Sequence, residues 1–91
     1  MTYKVLVSRT FQKEFYQLQK NVQSLIRKIL KELEKDPYTT RPKCDIKLLK
    51  DTRPKKYRIR IGDYRVIYII NQKEIKIIDL LKREAGYTKL D

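Results

Sequence analysis

Ninety-one residues carrying 23 Lys or Arg against 11 Asp or Glu have a formal net charge of +12, and the length suffices for one small domain spanning 1–91. With no His and a single Cys (Cys44), the chain excludes Ser-His-Asp triads, Cys-His pairs, His-ligated metals, an intramolecular disulfide and a CxxC redox pair. A 41% apolar content with 2 Gly and 3 Pro belongs to a folded chain, and the longest apolar run, Val66 to Ile70, falls far short of the ~20 residues that span a bilayer.

Taken in chain order, Tyr3 to Val7 alternates as a short strand. The opening MTYKVLVSRTF lacks the apolar core of a signal peptide, so a cytoplasmic location is expected. From about Arg9 the period changes: Phe11, Phe15 and Leu18 fall at i, i+4 and i+7, the stripe of an amphipathic helix. After a polar break at Gln19 to Asn21 a second stripe follows, with Val22, Leu25, Ile26, Ile29, Leu30 and Leu33 inward and Gln23, Arg27, Lys28, Lys31, Glu32 and Lys35 outward. The two helices are expected to form an antiparallel hairpin. The second should end at Lys35, because Pro37 disfavours a helical Asp36.

Residues 37–45 read as a loop punctuated by Pro37 and Pro42. Beyond Pro54 the period becomes two, which predicts strands at 56–61, 64–70 and 74–81 with turns at Gly62-Asp63 and 71–73. Gly62 at the first central position suits a type II′ hairpin turn. The order β-α-α-β-β-β predicts an α+β fold, a helical hairpin packed on a mainly antiparallel four-stranded sheet.

A two-residue turn at 62–63 fixes a register. It sets Ile61 opposite Tyr64, Arg60 opposite Arg65, Ile59 opposite Val66 and Arg58 opposite Ile67. Tyr57, Ile59, Ile61, Tyr64, Val66, Tyr68 and Ile70 then share an apolar face, while Lys56, Arg58, Arg60 and Arg65 crowd the other. Like charges directly opposed in a sheet cost a few tenths to about 1 kcal/mol. Arginine in particular binds phosphate in two-point fashion. Residues 47–65 hold 8 basic and 2 acidic side chains. An anion site on the face bearing Arg58, Arg60 and Arg65 explains this better than a merely solvated basic strand. A charge this positive favours a polyanion partner: nucleic acid first, then an anionic membrane surface or an acidic protein.

Tyr57 to Tyr68, YRIRIGDYRVIY, resembles the central hairpin of the RelE toxins in the wider RelE/ParE superfamily of toxin–antitoxin systems. The resemblance runs through the first strand, the helical hairpin, the Lys47–Leu49 segment and the ending KREAGY. It implies the toxin of a type II system: an mRNA interferase that enters the ribosomal A site, cuts mRNA there and is restrained by a cognate RelB-type antitoxin. The implied partners are antitoxin, ribosome and mRNA, with no membrane and no small-molecule cofactor. Members carry basic residues where Arg58 and Arg60 stand (some have Lys there), an Arg at Arg65, and an Arg and a Tyr matched by Arg83 and Tyr87. Cleavage uses the ribose 2′-hydroxyl as nucleophile.

Arg58, Arg60, Arg65, Arg83 and Tyr87 are therefore the candidate catalytic residues. Lys47, Lys56 and Lys82, the lysines nearest them, are candidate RNA contacts. Arg65 and Arg83, as exposed charges, should be replaceable by Ala without loss of fold. Arginine is a poor base at neutral pH, its pKa lying near 12.5–13.8. Catalysis should thus rest on orientation and electrostatics, with the proton acceptor open.

Plainer roles compete at several positions. Arg83 and Tyr87 also fit a basic tail with Tyr87 packed on the sheet. Asp63 reads as a turn residue, Cys44 as an inert thiol, and Arg9, Lys13, Lys20, Arg27, Lys28, Lys31 and Lys35 as solvated helix faces, some of them in contact with ribosomal RNA. Glu14, Glu32, Glu34 and Glu84 show no DxD or ExxE spacing, so no metal is assigned. Two other functions keep the fold: a ParE-like toxin that binds DNA gyrase, and a basic RNA-binding module without catalysis.

Overall fold

The apolar spacing along 20–35 produces the longest helix of the computed structural model, which describes residues 2–82. Its elements are β1 (Lys4–Val7), α1 (Arg9–Phe15), α2 (Lys20–Lys35), β2 (Asp45–Leu48), β3 (Tyr57–Ile61), β4 (Tyr64–Asn71) and β5 (Glu74–Lys82). The strands form one sheet in the order β1-β5-β4-β3-β2. Only the β1/β5 pair is parallel; the other pairs are antiparallel.

The α+β class holds, with one correction: the sheet has five strands, not four. Asp45–Leu48, read from sequence as the end of a loop and the segment after it, pairs with β3, setting Ile46 opposite Ile59 and Lys47 opposite Arg58. Only Ile46 of this edge strand is buried. One inward residue between charged neighbours leaves too little alternation to mark a strand.

Both helices cover one face of the sheet. Phe11 and Phe15 of α1 and Ile26, Leu30 and Leu33 of α2 pack with Ile59, Ile61, Val66, Tyr68, Ile75, Ile77 and Leu80. Ser8 caps α1: its Oγ accepts the Phe11 amide at 3.0 Å and donates to the Ile78 carbonyl at 3.0 Å. Helix α2 stops at Lys35 as expected, because Asp36 is extended (φ −159°, ψ 102°) ahead of the buried Pro37.

Two α2 positions differ from the expected stripe. Leu25 is 46% exposed, whereas Gln23, expected outside, is 3% exposed. Gln23 lies one turn before Ile26 on the core side. Its Nε2 donates to the Leu18 carbonyl at 2.9 Å, which satisfies a polar group that burial would otherwise penalise. Leu18 is half-buried beyond the end of α1, in the turn rather than on the helix.

Arg41 seals the far end of α2. Its Nη1 donates to the Asp36 carbonyl at 3.0 Å and the Thr39 carbonyl at 2.6 Å, and its Nη2 donates to the Glu32 carbonyl at 2.9 Å. A helix C-terminus leaves carbonyls without intrahelical partners and carries partial negative charge, so a guanidinium there answers both needs. Arg41→Ala is expected to cost about 1–3 kcal/mol of stability. Arg41→Lys should recover only part of that, since an ammonium lacks the fork that reaches three carbonyls. Urea denaturation midpoints measure both.

The β3–β4 hairpin has the register derived from its turn, Ile61↔Tyr64 through Tyr57↔Tyr68. Gly62 has φ +58° while Asp63 stays out of the positive region, the pattern of a II′ turn. The β4–β5 pairing shifts register after Ile67: Ile67 faces Asp79, but Tyr68 faces Ile77, so Ile78 is an extra residue on β5. This bulge inverts the alternation of β5, so Ile75 and Ile77 point to the core before it and Leu80 after it.

Candidate functional site

Opposed residues of neighbouring strands share a face. The face away from the helices therefore carries Lys47 from β2, Arg58 and Arg60 from β3, and Arg65 and Ile67 from β4. Arg60 stands directly opposite Arg65, and Lys47 directly opposite Arg58. The structure thus brings Arg58, Arg60, Arg65 and Lys47 to one surface, with Lys56 just ahead of β3 in the same alternation.

Their environments differ in a way the sequence reading did not anticipate. Arg60 and Lys47 are exposed, but Arg58 is 6% and Arg65 only 2% exposed. The expectation that Arg65 is a solvent-facing charge is corrected: it is among the largest fully buried side chains of the chain. Apolar residues share that face. Ile67 lies opposite Arg58 and is itself 6% exposed, and Leu81 lies opposite Arg65. In YRVIYII the apolar residues occupy both alternation classes, a signal of a strand covered on both sides.

Arg58 is also held by an acid of the chain. Its Nη1 donates to the Asp45 carbonyl at 3.1 Å and sits 3.3 Å from Asp45 Oδ1, a carboxylate more than half exposed. Asp45 was not singled out from sequence, because its residue run did not read as a strand. With β2 paired to β3, Asp45 falls opposite Arg60 and within diagonal reach of Arg58. An exposed carboxylate in such a pair adds about 0–1 kcal/mol at most, so its effect is to orient the guanidinium. Arg60 is left as the exposed guanidinium of the three.

Lys82 does not join this surface. It pairs opposite Tyr64 on the helix side of the sheet, and lines a cavity of about 490 Å³ with Glu14, Leu18, Val22, Tyr64 and Leu80. Without the bulge at Ile78, strict alternation from Ile75 would have placed Lys82 with the arginines and Asp79 in the core; the extra residue exchanges them. Asp79 instead lies opposite Ile67, on the arginine face. Arg83 and Tyr87 lie outside the described residues.

Other singled-out residues have structural environments. Cys44 is fully buried, and burial pushes its thiol pKa up, with Arg41 pulling weakly the other way. That is the opposite of what a reactive thiolate requires. Asp63 occupies the β3–β4 turn. Among the described residues no helix is long and apolar enough to cross a membrane.

This arrangement has close counterparts. Residues 5–87 match the family model described as ParE toxin of type II toxin-antitoxin system, parDE. The archaeal RelE–RelB complex from Pyrococcus horikoshii OT3 contains a chain 36% identical to this one, with a TM-score of 0.81 over 94% of this chain and 100% of the other. The chain belongs to the RelE family of type II toxins, within the RelE/ParE superfamily. The RelB–RelE complex from Methanococcus jannaschii matches at 27% identity and TM-score 0.68, over 85% of this toxin and 88% of that chain. The YoeB dimer from Staphylococcus aureus shares the fold, with TM-score 0.72 at 18% identity over 92% of this toxin and 99% of that chain. No curated protein matches the sequence.

Proposed function

We propose that this RelE-family toxin is a ribosome-dependent endoribonuclease that cleaves mRNA in the A site and is restrained by a RelB-type antitoxin. The observation that carries the reading is the direct opposition of Arg60 and Arg65, with Arg58 beside them, on one sheet face. A sheet gains no stability from such a pairing, whereas a phosphorane-like transition state gains from it. The archaeal RelE–RelB relative at 36% identity supports both the activity and the partner.

In this reading a ribose 2′-hydroxyl attacks the adjacent phosphorus in line. The O–P bond to the departing 5′-oxygen breaks, leaving a 2′,3′-cyclic phosphate and a 5′-hydroxyl. Exposed Arg60 contacts the non-bridging oxygens, where charge accumulates. Buried Arg65 and the Asp45-held Arg58 are fixed in place and supply field without reorganising. Lys47 and Lys56 guide the backbone onto this face, and Arg83 and Tyr87 complete the site, the tyrosine by stacking on a base. The bound ribosome holds the mRNA in the attacking geometry. Lys82, on the helix side, is not assigned to this contact.

Primer extension on mRNA translated in a purified system, with end-group analysis, tests the reading. The expected result is a cut within the A-site codon bearing a cyclic phosphate, present with ribosomes and lost on adding antitoxin. Intact mRNA under toxin concentrations that arrest translation would overturn it.

The match to a ParE toxin model favours a second reading, a gyrase poison that uses the same face on a protein or DNA surface. A supercoiling assay separates the two: inhibited supercoiling with uncut mRNA supports the second alone. Tight RNA binding without a cyclic-phosphate product would instead mark a non-catalytic RNA-binding module.

A further inference from the structure

The arginine side of the sheet continues past β4 to the β1 edge. Arg65, Ile67 and Ile69 alternate on that side of β4, and their partners on β5 are Leu81, Asp79 and Lys76. Leu6 of β1 stands opposite Lys76 and so shares the face. Where β1 ends and β5 bulges, a cavity of about 220 Å³ is lined by Leu6, Val7, Ser8, Lys76 and Ile78. Ser8 pins its frame: the Ser8 amide donates to the Ile77 carbonyl at 2.9 Å and Oγ to the Ile78 carbonyl at 3.0 Å. Apart from Ser8 and Lys76 the lining side chains are aliphatic.

Asp79 follows Ile78 directly and is half-buried. Its Oδ1 accepts the Leu80 amide at 2.8 Å, and its Oδ2 has no hydrogen-bond partner among the described residues. Neither ion pair between described residues involves it. The Leu80 bond needs an acceptor but not a charge, since an asparagine oxygen would serve it equally. A carboxylate on this face repels the phosphates that the arginines attract. Its complement in a nucleotide is the N–H edge of a base, as when a carboxylate accepts from cytosine N4. Uracil presents a carbonyl oxygen at the same position.

We infer that this corner of the sheet is a base-reading subsite for single-stranded RNA. A base of the strand held by the arginines enters the cavity against Leu6 and Ile78, and its exocyclic amine donates to Asp79 Oδ2. Lys76 supplies a donor for the ring acceptors beside that amine. The subsite therefore favours cytosine over uracil, two pyrimidines of equal size. Strands β4 and β1 are two spacings apart, about 10 Å, so a short run of extended RNA reaches both Arg65 and the cavity. The inference rests on this side of the sheet binding RNA but not on its cutting RNA.

The test measures binding of the full chain to 2′-O-methyl oligocytidylate and oligouridylate, neither of which can be cleaved through the 2′-oxygen. Wild type is expected to bind oligocytidylate about tenfold more tightly, the value of one hydrogen bond to a charged acceptor. Asp79→Asn keeps an acceptor for the Leu80 amide and should abolish that preference, because its amide group can donate to uracil O4. Leu6→Ala should weaken both oligonucleotides about three- to tenfold through lost apolar contact. Arg60→Ala should weaken both and leave their ratio unchanged. Equal affinities in wild type, a preference that survives Asp79→Asn, or wild-type binding by Leu6→Ala would each overturn the inference. An Asp79-dependent preference with undiminished binding by Arg60→Ala would support the subsite while removing Arg60 from RNA contact, so the two readings fail separately.

Discussion

Replacing Arg65 with alanine is expected to remove about 2–5 kcal/mol of stability along with activity, whereas replacing Arg60 should remove activity alone. The two stand directly opposite each other, yet Arg65 is 2% exposed and Arg60 is open to solvent. Truncating Arg65 leaves a void in a packed layer that includes Ile67. Truncating Arg60 deletes a solvated side chain and relieves a like-charge opposition, so its stability should stay within about 0.5 kcal/mol of wild type. If Arg60 contacts the transition state, cleavage on translating ribosomes should fall about 10²–10³-fold, the usual loss for one preorganised donor. Guanidinium-chloride midpoints and single-turnover cleavage, measured on both variants, give the two axes. Full cleavage by a stably folded Arg60→Ala variant would remove the arginine face from the reaction. Arg65→Ala alone would not decide it, because a partly unfolded toxin is inactive for trivial reasons.

That asymmetry marks where the sequence was legible. The 57–68 hairpin could be read to the residue, because a Gly at the first turn position fixes the register and the register fixes the faces. Helix α2 was legible at its end, from Pro37, and in its core stripe. Its one buried amide was hidden, because Gln23 is polar by type and apolar by position. Three features depended on contacts between segments distant in sequence. Strand β2 exists because β3 offers it an edge, not because Asp45–Leu48 alternates strongly. The bulge at Ile78 sits in the run IKIIDLL, where apolar residues fall in both alternation classes and either parity looks acceptable. That single inserted residue moved Lys82 off the arginine surface and brought Asp79 onto it. The burial of Arg58 and Arg65 was foreshadowed only by Ile67 and Leu81, apolar residues on a face whose charges drew the eye.

The core on the other, helix-covered face predicts an alkaline instability. Tyr68 is fully buried under the helices, and its hydroxyl donates to the Pro37 carbonyl at 2.8 Å. Burial pushes its pKa far above the ordinary tyrosine range, and the neighbouring Cys44 thiol is pushed up for the same reason. Both groups keep their protons in the folded chain. In the unfolded chain the cysteine releases its proton near pH 8.5 and the tyrosine near pH 10. Above those values the unfolded state binds fewer protons than the folded one, so stability falls as pH rises, by up to about 1.4 kcal/mol per pH unit for each group until its folded pKa is reached. Their contribution is fully present below pH 8 and is lost on the alkaline side. The net charge of +12 acts the other way, since approach to a pI near 9.9 reduces self-repulsion. Urea midpoints between pH 8 and 11 in high salt suppress that opposing effect and should fall steeply past pH 10. Tyr68→Phe should be less stable at pH 7 by about 1–3 kcal/mol, because the Pro37 carbonyl loses its donor. Having no phenol to ionise at that site, it should decline less steeply above pH 10. Parallel curves for wild type and Tyr68→Phe would show that the buried phenol does not govern the alkaline limb.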